Sequence, residues 1–184
     1  MKVAVIFPGI GYHTDKPLLY YGKKLAKESS YQIIEVNYTG FPGDVKGNEE
    51  KMQQVFQIAR AQTEEQLCNV NFKEYERVLF LSKSIGTVVA AAYDNDHAIH
   101  ARHIYFTPVP QTFSFAKMKS GMVLHGLNDP WCENELVEEN CQRLKLILKT
   151  YEGANHSLET GHCLIDLKIM NQIFECLKQG KEFE

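Results

Sequence analysis

Short, nearly continuous apolar runs alternate along the whole chain with longer segments of helical spacing. KVAVIF at residues 2–7, YQIIEVNY at 31–38 and RVLFLS at 77–82 have the length and composition of strands, as do RHIYFT at 102–107, GMVLHG at 121–126 and LKLILKTY at 144–151. Between them, residues 17–29 open with Pro17, which suits the first turn of a helix. Residues 49–67 place Met52, Val55, Phe56 and Ala59 on one helical face. IGTVVAAAY at 85–93, a segment around 133–143 and another at 161–179 complete the helical set.

Strands separated by helices predict an α/β fold: a doubly wound, mostly parallel six-stranded sheet with helices on both faces, forming a single domain over residues 1–184. Runs such as VLFL suit strands buried on both sides. Right-handed crossovers then gather the loops that follow the strands on one rim, where ligands of such sheets bind.

Composition narrows the class. The 184 residues suffice to bury a sizeable core, and 44% hydrophobic with 23% charged residues is the balance of a globular protein. A net charge of −3 with scattered Lys and Arg predicts no nucleic-acid partner, and no apolar run is long enough to enter a membrane as a helix. MKVAVIFPG reads as a first strand rather than a leader, so a cytoplasmic location is expected. The five cysteines (Cys68, Cys132, Cys141, Cys163 and Cys176) contain no CxxC pair, so reduced thiols are expected, with neither a disulfide framework nor a metal site. GIGYHT lacks the third glycine of a dinucleotide fingerprint, which Thr14 replaces, and oligomeric state is not legible.

Ser84 stands where a strand must turn at once into a helix, with Ser82 two residues before it and Gly86 two after. This matches a nucleophile elbow, usually G-x-S-x-G, whose small flanking residues let the helix start almost on top of the strand. A serine hydroxyl is a weak nucleophile that needs a base beside it. Asp129 follows the fifth strand and His156 the sixth, giving the order serine, acid, histidine. His125 lies inside the fifth strand and is expected to be packed or hydrogen-bonded. His97, His100 and His103 are expected before the fourth strand on the opposite rim, His162 begins the last helix, and Asp94 and Asp96 are expected far from the site.

The segments FPGIGY, SKSIGT, HGLNDPW and GANHSL together resemble the α/β-hydrolase superfamily, in a small form without a large cap. That resemblance implies a serine hydrolase of carboxylesterase type, cleaving a small carboxylic ester, thioester or amide through an acyl-enzyme and requiring no cofactor. An acyltransferase with the same triad, or a catalytically silent binding protein, are the alternatives. Ser84 would attack, His156 would take its proton and Asp129 would steady the imidazole. The backbone N–H of Ile85 would serve the oxyanion, joined by that of Ile10 or Gly11 from the PGIG loop.

Residues 107–119, where larger relatives carry a lid, have room for one short helix. The expected partner is a small-molecule acyl substrate in a shallow, open site lined by Tyr12, Val109, Phe113 and Trp131, with the loop at 39–48 as one wall. Ser82 adds a Cβ and a hydroxyl where glycine is usual and is expected to be tolerated. Lys83 is expected to be a solvated charge.

Overall fold

A computed structural model describes residues 1–45, 47–180 and 183. Six strands, β1 (Lys2–Phe7), β2 (Tyr31–Glu35), β3 (Arg77–Ser84), β4 (Arg102–Pro108), β5 (Gly121–Gly126) and β6 (Ile147–Tyr151), form one sheet in the order β2-β1-β3-β4-β5-β6. Every pairing is parallel, so the expected sheet is observed with no antiparallel strand among the described residues. The order reverses between β1 and β3, and the crevice at their carboxyl ends is the natural ligand position of such a sheet.

Alternation along the strands sorts the core into two faces. Ala4, Ile6, Leu79, Leu81, Ile104 and Leu124 point toward α1 (Pro17–Glu28) and α6 (Cys163–Gln179). Val5, Phe7 and Phe80 point toward α2 (Glu49–Leu67) and α3 (Ile85–His97). Tyr105 and Val123 continue that second face under α4 (Thr112–Phe115) and α5 (Asn134–Leu144).

Boundaries differ from expectation for identifiable reasons. The second strand ends at Glu35 because the chain then leaves the sheet for α2: Asn37 N–H donates to the Gln66 side chain and Thr39 N–H to that of Gln62. The sixth strand starts at Ile147 because Leu144 still belongs to α5 and Lys145 turns the chain at φ 52°. His103 lies within β4 rather than ahead of it, buried and bonded through Nε2 to Asp94.

Candidate active site

Ser84 closes β3 and caps α3 at φ 54°, ψ −123°, a backbone conformation that costs a non-glycine residue about 1–3 kcal/mol. The turn brings α3 against the end of β1 so closely that a Cβ on Gly86 would stand 2.5 Å from the carbonyl oxygens of Phe7 and Pro8. Glycine is required there by that approach. At the other flank, Ser82 is fully buried and its hydroxyl donates to the Ile104 carbonyl at 3.3 Å, so the serine in the glycine position is accommodated by the neighbouring strand.

The three sequence-predicted polar residues meet. His156 Nδ1 donates to Asp129 Oδ2 at 2.7 Å, which leaves Nε2 as the acceptor for the Ser84 hydroxyl at 2.8 Å. Asp129 Oδ1 accepts from Trp131 N–H at 2.9 Å, so both carboxylate oxygens are engaged. The Asp129 side chain is fully buried and that of His156 is 18% exposed. Burial pushes the imidazole below the ordinary histidine value of 6.5, and the positive charge of Lys83 acts in the same direction against the opposing pull of Asp129.

Backbone contacts hold these loops together. Leu127 N–H donates to Tyr151 O and Asn128 N–H to Ala154 O, tying the segment of Asp129 to that of His156. Thr107, itself at φ 43°, donates its hydroxyl to the His156 carbonyl at 2.9 Å. Sequence reasoning missed Thr107, since its pairing partner lies 49 residues away. His125 is buried, with Nε2 on Asn134 Oδ1 at 2.7 Å and Nδ1 3.9 Å from Asp129.

On the other side of Ser84, Gly9 and Tyr12 exchange backbone hydrogen bonds of 3.0 and 3.3 Å, closing a turn with Ile10 and Gly11 at its tip and Gly11 at φ 65°. Among the described residues, neither tip N–H donates to a protein acceptor. Ile85 is the first helical residue, so its N–H also lacks an intrahelical acceptor. The turn is near enough to Ser84 that a Cβ on Gly9 would lie 3.1 Å from the serine Cβ.

A cavity of about 840 Å³ opens beside Ile85, with Met52, Phe56, Val88, Val109, Phe115 and Trp131 supplying apolar lining and Glu49 and Glu50 at the first turn of α2. Its walls come from the first turns of α2 and α3 and from residues 109–111, 115 and 131. Val109 and Trp131 line it as expected of substrate contacts; Tyr12 and Phe113 do not. Tyr12 is buried with its hydroxyl on Leu18 N–H, and Phe113 points into the core under α5 while Phe115 faces the cavity. Of the loop at 39–48, Gly47 and Asn48 reach the wall, and Lys46 lies outside the described residues. The Lys83 side chain, expected in solvent, is 1% exposed.

No protein-family model matches the chain, and no curated protein matches it. Solved structures do. An alpha-beta serine hydrolase homologue from Coxiella burnetii is 14% identical, with 94% of this chain and 85% of that one aligned at a TM-score of 0.62. A serine hydrolase without lid from Xanthomonas campestris is 10% identical over 95% and 81% of the two chains, at 0.59. Esterase 2 of Thermogutta terrifontis, solved phosphorylated by paraoxon, is 16% identical over 98% and 83%, at 0.58. The chain thus has the α/β-hydrolase fold, in a minimal six-stranded version. Among the described residues no helix is long and apolar enough to cross a membrane.

Proposed function

We propose that this protein is a serine hydrolase that cleaves carboxylic esters with an apolar, uncharged acyl group. The observation that carries the reading is the unbroken relay from Ser84 Oγ through His156 to Asp129, at 2.8 and 2.7 Å. Each distance falls within hydrogen-bond reach, the geometric requirement for a serine activated by a base that a third group orients.

In this reading Ser84 attacks the ester carbonyl while His156 Nε2 takes its proton. The tetrahedral oxyanion is met by the N–H of Ile85 and by that of Ile10 or Gly11. His156 returns the proton to the departing alcohol, which leaves an acyl-Ser84. Water, deprotonated by the same imidazole, then releases the acid. Asp129 stabilises the imidazolium each time it forms. The apolar lining from Met52 to Val109 favours a hydrocarbon acyl group, and Glu49 and Glu50 disfavour an anionic one. With His156 partly exposed, water reaches the acyl-enzyme, and this favours hydrolysis over transfer to another alcohol.

Labelling with a fluorophosphonate tests the nucleophile. The wild type is expected to label and Ser84→Ala not to, with the variant losing at least about 10⁴-fold in kcat on a p-nitrophenyl ester. Wild type that fails to label, or equal labelling of both, defeats the assignment.

A further inference from the structure

The relay leaves one charged group beside the nucleophile without a task. Lys83 immediately precedes Ser84 and falls on the same sheet face as Leu79 and Leu81, beneath α1 and α6. Its side chain is among the largest fully buried in the protein. Burying a lysine is costly unless a carboxylate neutralises it. The comparison within the chain is instructive: Lys23, also buried, holds Asp15 at 3.0 Å and Glu35 at 2.8 Å. Among the described residues Lys83 Nζ has no such partner within ion-pair or hydrogen-bond distance. Asp129, bonded to His156 and Trp131, is near enough to favour the Lys83 charge but makes no ion pair with it.

Lys83 has instead the ring of Tyr12, whose centroid lies 5.0 Å from Nζ, within the roughly 6 Å reach of a cation–π contact. Tyr12 is pinned in turn by Leu18 N–H, which donates to its hydroxyl at 3.1 Å, and by its backbone bonds to Gly9. The ring over the ammonium therefore belongs to the same turn that presents the N–H groups of Ile10 and Gly11. A Cβ on Gly9 would stand 3.2 Å from the Lys83 carbonyl, so lysine and turn also meet through the backbone.

The titratable groups acting on this point come from every surrounding segment: Tyr12 before α1, Asp129 after β5, and His156 and Glu159 after β6, with His125 beyond Asp129. Burial drives the Lys83 ammonium down to about 7, although Asp129 and Glu159 favour its charge. The charge on Lys83 in turn disfavours the imidazolium of His156.

We propose that Lys83 is a positioning residue of the site, whose ammonium, held against the ring of Tyr12 without a carboxylate of its own, fixes the turn bearing the oxyanion donors and keeps His156 in its proton-accepting form. The catalytic consequence rests on the serine-hydrolase reading; the electrostatic coupling does not. Below neutrality Lys83 is charged and opposes protonation of His156, which extends the base form to lower pH. As pH rises through about 7 the ammonium loses its proton, and the hold on Tyr12 weakens.

NMR titration of the resting protein decides the matter. In Lys83→Met, and in Lys83→Gln as a second replacement, the His156 imidazole is expected to titrate at higher pH than in the wild type. In the wild type, the Lys83 side-chain nitrogen is expected to titrate near neutrality, apart from the surface lysines. With p-nitrophenyl butyrate, kcat/KM at pH 6 should fall about three- to tenfold in Lys83→Met, the range a nearby unit charge produces in a partly screened site, while KM changes little. A folded variant with an unmoved His156 titration overturns the proposal. So does a wild-type Lys83 that titrates with the surface lysines, a result available even if no variant folds. Neither titration needs substrate, so their failure is distinct from failure of the fluorophosphonate assay.

Discussion

Ser84 shows how much a single backbone position asks of its neighbours. Its positive φ is maintained by the close seating of α3 on β1 at Gly86 and by the Thr87 hydroxyl, which donates to the Ser84 carbonyl at 2.6 Å. Beside it, the lowered proton affinity of His156 has a definite sign. On the serine-hydrolase reading the neutral imidazole is the active form, so the acidic limb of kcat/KM for a neutral ester should have its midpoint below 6.5, as a pH–rate profile will check. The addresses of Ser84, Asp129 and His156 were legible because each lies at the end of an apolar strand or in the short loop that follows one. The environment of Lys83 was not. Burial of a lysine depends on what folds over it, and Tyr12 reaches it from a turn 71 positions earlier in the chain. Phe113 and Phe115 illustrate the same limit, since a one-turn helix decides which ring faces the core and which the cavity.

Among the elements, α3 is fixed at both ends. Its first turn meets β1, and near its far end Asp94 accepts from His103 Nε2 in β4 at 2.9 Å and from Lys117 Nζ at 3.0 Å. Burial alone would push the Asp94 carboxyl up, but these two partners outweigh it and bring the group down to about 2. A carboxyl depressed in the folded state contributes stability above its unfolded value of 3.8 and loses it as pH falls toward 2. Asp94→Ala should therefore cost about 3 kcal/mol in urea unfolding at pH 7, because it leaves His103 and Lys117 without their shared anion. That difference should shrink between pH 4 and pH 2. The strands and helices themselves were largely readable from periodicity, with errors mostly at ends and one short 3-10 turn at Phe72–Glu74 not anticipated. Glutamines of α2 reaching back to Asn37 and Thr39, and the left-handed turn at Lys145, are tertiary or single-residue events that no repeat in the sequence announces.

For the molecule as a whole, the sheet order places the Ser84 turn at the reversal between β1 and β3, and places the cavity between the first turns of α2 and α3. Size selectivity should then reside in α2. Met52→Trp, on a partly exposed wall position, is expected to lower the rate ratio of octanoyl to acetyl p-nitrophenyl ester by roughly tenfold. An unchanged ratio would locate the acyl chain elsewhere.

The wall provided by α2 is the start of a 19-residue helix whose first turn is anchored by Asn48, which accepts from Lys51 N–H at 2.9 Å. Lipases that hide their serine under a flap accelerate when substrate gathers into droplets and the flap opens on the oily surface. Here Ser84 and His156 are both partly exposed, so on the ester-hydrolase reading velocity should rise smoothly with ester concentration and show no jump as an emulsion forms.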